Sequence, residues 1–172
     1  MKRILFSLFA FSIGCLAFSQ NKNHNVINQQ NNTGSVIIKN PKALFDPTPF
    51  AFSHSAAPEG EGKYVFISGQ SGGEDLKHSL SKDFRTQVKY ALKNLETVLA
   101  DYGLGVNDVL KITILMVDHD QEKLTIWTEE MHATWKNHQF PASTLIPVPK
   151  LALDDMMIEV DAVAFMKKNT TK

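Results

Sequence analysis

Two carboxylates set two residues apart, Glu159 and Asp161, interrupt the apolar run "IEVDAVAF" from Ile158 to Phe165. The run reads as a β-strand, and the strand period of two puts both acids on one side with Val163 and Phe165. A carboxylate among apolar neighbours needs hydrogen-bond donors. Two arrangements supply them. Either both acids point into a subunit interface and accept from backbone N–H groups or lysine, or Asp161 faces a cleft and positions water as a general base. The residues alone leave both open.

The histidines offer less. His54, in "FAFSH", is a candidate proton shuttle near neutral pH, weighed against an ordinary hydrogen-bonded histidine at a surface or interface. His119, between Asp118 and Asp120, resembles a metal patch, but a polar turn leading into a helix cap accounts for "DHD" better. His132 and His138 lie near Trp135 without a third ligand at metal spacing. Neither a metal nor a cofactor is expected.

The chain opens with "MKRILFSLFAFSIGCLAFS", in which Lys2 and Arg3 precede an apolar stretch too short to span a bilayer comfortably. Residues 1–19 therefore read as a signal peptide for export, with the periplasm as the expected compartment and Gln20 as the mature N-terminus. Lipidation on Cys15 is the second reading; Ser12 stands where a large aliphatic residue is wanted. Cleavage removes the only cysteine, and with it any intramolecular disulfide, thiol nucleophile or thiolate metal site. No stable membrane insertion is expected after it. Without Lys2 and Arg3 the chain carries 16 basic and 18 acidic residues, a net charge of −2. Arg85 is then its single arginine. Nucleic acid is accordingly disfavoured as a partner, because phosphate tracking recruits several basic residues on one face.

Residues 20–34, rich in Asn and Gln, read as a polar tether with little to bury. Residues 35–168 suit one domain, followed by a tail over 169–172. Within the domain, strands are expected at Val36–Ile38, Ala51–Ala56, Lys63–Gln70, Asp108–Val117, Thr144–Val148 and Met157–Met166. The spacing of Phe84, Val88, Ala91, Leu92, Leu95 and Leu99 predicts a helix over 83–102, ended by Gly103. Leu124, Trp127, Met131 and Trp135 predict a second, capped by Asp118 or Asp120, whose Trp and Met stripe is core packing. This order gives an α+β fold, a mixed sheet with two helices on one face. Val109, Leu115, Val163 and Phe165 are expected on the other face, too apolar to stay wet, and a second subunit is the economical cover.

Four separated blocks, "YVFISGQ", "TQVKYALKNLETVLADYGLGVNDVLKITILMVD", "FPAST" and "IEVDAVA", resemble the RidA/YjgF family in order and spacing from about Val36 to Phe165. The resemblance implies a chorismate mutase-like fold, a homotrimer of barrel-like assembly, and ligand clefts between neighbouring subunits. It also implies cofactor-free hydrolysis of 2-imino acids, or their enamine tautomers, to 2-keto acids and ammonia. An arginine directly after "FPA" would hold the substrate carboxylate, and an acidic residue of the last strand, here Asp161, would position the water.

The chain departs from that pattern where the chemistry lies. Ser143 follows "FPA" in place of the arginine, Phe52 stands where the family has tyrosine, and Asp161 is shorter than the family's glutamate. Ser53 and Gly69 match, and Thr144 adjoins Ser143. Hydrogen bonds to charged groups contribute about 1.5–3 kcal/mol, against about 0.5–1.5 for neutral ones. Replacing arginine by a hydroxyl thus weakens carboxylate binding about five- to thirtyfold. Lys150 is a possible surrogate, as a point charge without the planar fork; Arg85 is not in a matching position.

The reading is an exported RidA-like homotrimer binding a small, less acidic molecule at a site including Phe52, Ser53, His54, Gly69, Ser143 and Thr144. Weak or no activity on simple 2-imino acids is expected. The alternatives are an active deaminase with Asp161 activating water, and a structural or interaction role with a vestigial cleft.

Overall fold

The computed structural model describes residues 36–168. The signal peptide, Cys15, the tether and the tail lie outside the described residues.

Eight regular elements follow in order: β1 Val36–Lys39, β2 Ser55–Pro58, β3 Gly62–Ser71, α1 Phe84–Asp101, β4 Val109–Val117, α2 Gln121–Thr134, β5 Ala142–Val148 and β6 Ile158–Lys167. β1 and β2 form an antiparallel pair, and the other four strands form a sheet in the order β3-β6-β4-β5. β4 and β5, joined through α2, run parallel, while β6 is antiparallel to both of its neighbours. The sheet is therefore mixed, as expected.

Local chemistry sets the helix ends. Asp83 caps α1, accepting from the Thr86 amide and hydroxyl at 2.7 Å each. Asp120 caps α2 through the Lys123 amide at 2.7 Å, which settles the choice between Asp118 and Asp120. Beyond α1, Gly103 takes φ +69°, a conformation that favours glycine.

Both helices cover one face. Val88, Ala91, Leu92, Leu95 and Leu99 of α1 pack with Ile112, Ile114 and Met116 of β4 and Ile158, Val160 and Ala162 of β6 in a single buried cluster. Trp127, Met131 and Trp135 join it, so the aromatic stripe is core. Arg85 ties the helices together through Glu129 and Glu130, each at 2.7 Å.

Two expectations need correction. The second strand lies at Ser55–Pro58, later than Ala51–Ala56, because Ala51 adopts a left-handed φ of 57° and Ser53 forms only an isolated bridge to Ala142. Val109 belongs to the helix-side core, not to the open face. A register shift lets Val109 oppose Ala164 while Lys111 opposes Val163, so the two stand on different faces despite their spacing. Phe165, opposite Tyr64 and two residues beyond Val163, keeps to the open face as expected but is itself buried, with the Tyr64 ring 5.6 Å away, edge-on.

Leu115 and Val163 do lie on the open face. Cross-strand register arranges that face in rows. Ile146, Leu115, Glu159 and Ser71 form one, Thr144, Thr113 and Asp161 the next, and Ala142, Lys111, Val163 and Phe66 a third. Phe66 is 79% exposed and Tyr64 53%.

Candidate functional site

The sheet divides the candidate site residues between its faces. On the helix side, Ser143 stands across from Ile112, and Leu145 across from Ile114. Phe52 reaches this edge because Ser53 docks beside β5, its amide donating to the Pro141 carbonyl at 3.1 Å. Ser53 is buried by that docking. With Phe45 and Phe50 from the preceding loop, these residues frame a cavity of about 360 Å³. Leu124, Trp127 and Ile114 complete its wall, and none of the described residues lining it is charged.

The loop aromatics brace one another. Phe45 meets Phe50 at 6.0 Å and Phe52 at 5.9 Å, both edge-on. His54 packs edge-on against Phe45 and Phe52, and its Nε2 lies 2.9 Å from the Phe45 carbonyl oxygen. Its amide donates to Asn40 Oδ1 at 2.9 Å. His54 thus holds the aromatic loop, the ordinary hydrogen-bonded role, and does not line the cavity.

On the open face, Asp161 Oδ1 accepts the Thr113 amide at 3.2 Å. A second cavity, about 390 Å³, is lined by Asp161, Gly69 and neighbouring residues of β3 and β6. Gly69 sits at a bulge in β3, where a Cβ would come within 1.8 Å of Glu159 Oε1. Gly69 and Asp161 are therefore brought together, with Glu159 beside them and Thr144 two strands away on the same face. Within one chain Ser143 and Phe52 are not brought to Asp161.

Lys150, the possible surrogate for the missing arginine, pairs in its own chain with Asp154 at 3.1 Å, both side chains exposed, and Arg85 is held by Glu129 and Glu130. Among the described residues no group of three or more His, Cys, Asp or Glu side chains is arranged to hold a metal.

Two polar arrangements escaped the sequence reading. Lys111 donates from Nζ to Thr144 Oγ1. Burial holds its ammonium below the ordinary 10.5, with the charge of Asp161 acting in the opposite sense. The signal was visible in "VLKITILMV", where Lys111 is the one charged residue of the strand. At the end of β3, Ser71 Oγ is hydrogen-bonded to His78 Nε2 from the loop that follows. His78 is at φ +60°, and Gly73 leaves room for its ring. Local sequence holds no sign of that contact.

Three comparisons bear on this arrangement. A family model described as Endoribonuclease L-PSP matches residues 47–166. A RutC family protein of Aquifex aeolicus is 31% identical over 132 residues, 73% of this chain and 97% of its own. A 2-iminobutanoate/2-iminopropanoate deaminase of Salmonella typhimurium is 29% identical over 103 residues, 60% of this chain and 80% of its own. The crystal structure of YyfB, a protein of unknown function of the Rid family from Yersinia pestis, superposes with a TM-score of 0.72 at 27% identity. It covers 77% of this chain and 99% of its own.

Proposed function

The chain belongs to the Endoribonuclease L-PSP family, that of the RidA/YjgF proteins, and we propose that it is a divergent member that binds a small, largely apolar molecule. The uncharged wall of the Ser143 cavity carries this reading. The carboxylate of a simple 2-imino acid placed there would lose its water and gain one hydroxyl, from Ser143, and no cation. An aromatic or aliphatic ligand with a single acceptor group matches the lining, and a cavity of about 360 Å³ suits a small molecule.

On this reading the site belongs to a homotrimer of the exported chain. The open face supports assembly, since Phe66, Tyr64, Ile146, Val163 and Leu115 make an apolar surface that another copy could cover. Residues 1–19 support export, with release into the periplasm. The net charge of −2 for the chain after residue 19 argues against a nucleic-acid substrate.

The test measures ammonia and keto acid released from freshly generated 2-iminopropanoate by the chain Gln20–Lys172, beside Ser143→Arg. We expect the parent near background and a gain in the variant. A parent as fast as an efficient deaminase overturns the reading.

A second reading, that hydrolysis of imines persists, is favoured by Asp161 beside the 390 Å³ cavity, its carboxylate fixed by the Thr113 amide. The 2-iminobutanoate/2-iminopropanoate deaminase named above makes it chemically specific. Asp161→Asn would then abolish whatever turnover the parent shows; unchanged turnover sinks that mechanism.

A further inference from the structure

The end of α2 brings two imidazoles together. His132 lies in the last turn of the helix, and His138 lies beyond it, on the other side of Trp135. The Trp135 and His138 amides hold the turn between them by donating to the Met131 and Trp135 carbonyls, both at 2.8 Å. His138 takes φ +57° there, in the left-handed region that L side chains rarely adopt. Asn137 braces the turn, its Nδ2 donating to Asn107 Oδ1 at 2.9 Å while its own Oδ1 accepts the Gln139 amide at 3.1 Å. Phe140, fully buried, supports both rings: His132 meets it edge-on at 4.8 Å and His138 stacks with it at 5.9 Å. The two imidazole centroids end 5.1 Å apart, their planes at 85°. Zinc binds imidazole nitrogen at about 2.0–2.1 Å, so two rings on one tetrahedral ion have centroids about 5.3 Å apart. Among the described residues no ring nitrogen of either histidine makes a hydrogen bond. His132 is half-buried and His138 exposed, so the pair opens to solvent.

We propose that His132 and His138 bind a divalent first-row transition ion through one nitrogen of each ring, with water in the remaining positions. Imidazole suits Zn(II), Ni(II) and Cu(II), whereas Mg(II) and Ca(II) prefer oxygen ligands, which sets the class of ion. No third His, Cys, Asp or Glu joins the pair among the described residues, so solvent completes the coordination and the site captures an ion reversibly, unlike a closed structural centre. Packing on Phe140 fixes both rings beforehand, which leaves little side-chain ordering to oppose binding. The position of the two histidines in the chain holds no ligand pattern; the turn after α2 creates it.

The pair belongs to the helix side of the sheet, where Trp127 and Met131 of α2 and the adjoining Trp135 enter the core, away from the face proposed to meet another copy. The inference does not rest on the Ser143 cavity, whose lining includes neither histidine; loss of ligand binding there and loss of metal binding here are separate outcomes.

Zn(II) is titrated into the untagged chain Gln20–Lys172 at about pH 7.5, since ligation takes neutral imidazole, and the histidine ring resonances are followed by NMR. The signals of His132 and His138 are expected to move with one shared midpoint, while those of His54 and His119 stay in place. Calorimetry with Ni(II) reads the affinity. His132→Gln and His138→Gln are each expected to weaken it at least about tenfold, and the double variant little further, because losing either ring already opens the chelate. The variants' circular dichroism is compared with the parent's. Ring signals of His132 and His138 that stay put in the parent at about 1 mM Zn(II), or that move with different midpoints, overturn the proposal, whatever the variants do.

Discussion

Asp161 and Ser143 stand on opposite faces of one sheet: Asp161 opposes Thr113 and accepts its amide at 3.2 Å, whereas Ser143 opposes Ile112 above the helices. An arginine at position 143 would therefore enter the aromatic cavity and not the surroundings of its own chain's Asp161. Placing a cation among Phe52, Trp127 and Leu145 strips it of water. We expect Ser143→Arg to weaken binding of the neutral dye N-phenyl-1-naphthylamine by about tenfold or more, measured by fluorescence titration. Equal dye affinity in parent and variant would remove the cavity from the binding role.

Assembly through the open face is tested at Phe66, the large side chain 79% exposed in the row of Val163 and Lys111. Phe66→Asp places a charge where another copy is proposed to pack. Light scattering after size exclusion is expected to show a trimer for the parent and a monomer for the variant. With Ser143→Arg added, the monomer is expected to lose the gain in imine hydrolysis, since the arginine then has no second chain's Asp161 to meet. A monomeric parent contradicts the assembly outright.

Two glycines three residues apart predict different costs. At Gly72 a Cβ would lie 2.5 Å from Gln87 Cβ and 2.6 Å from its Cα, atoms of a helix that cannot withdraw. Gln87 is fully buried and bonded to the Ser81 and Asp155 carbonyls and the Met157 amide. Gly72→Ala is expected to cost about 2–4 kcal/mol in urea unfolding. At Gly69 the obstacle is the Glu159 side chain, which can swing away into the open face. Gly69→Ala should cost less than about 1.5 kcal/mol; the reverse order would show that the loop after β3 packs otherwise.

Acid should loosen the cap of α1. The Thr86 hydroxyl and amide hold the Asp83 carboxyl below its ordinary 3.8. A group with a lowered folded-state pKa stabilises fully above its unfolded value and loses that contribution as pH falls through the folded one. The window is thus below about pH 4. Asp83→Asn retains a capping oxygen without the titration, so its thermal midpoint should fall less steeply across that window than the parent's. Parallel curves would mean that the cap contributes no pH dependence.

Much of the fold was legible in the chain because it depends on short periods. The Phe84-to-Leu99 stripe and the alternation in "DVLKITILMV" locate α1 and β4 without reference to anything distant, and Asp83 and Asp120 mark helix starts through contacts three residues away. Gly69 was marked as a cleft position through the resemblance, while the close approach of Glu159 at its bulge was not legible. The Trp127 and Met131 stripe was legible as core. Position 52 was marked as a cleft residue, but the strand drawn through it was misplaced, because the left-handed turn at Ala51 and the docking of Ser53 on Pro141 depend on β5, ninety residues on.

The sequence by itself determined the α+β class, both helices and the absence of a thiol after Cys15, which follow from residue identity and local spacing; that Ser143 stands in place of an arginine follows from the resemblance to the family. The tertiary structure decided which face each side chain meets. A bulge at Leu110 sends Val109 into the core and Lys111 onto the open face, and strand order brings Thr144 and Asp161 to either side of Thr113. Such neighbours are made by hydrogen-bond register between strands far apart in the chain, and a shift of one residue in that register exchanges the faces, so no local pattern contains them.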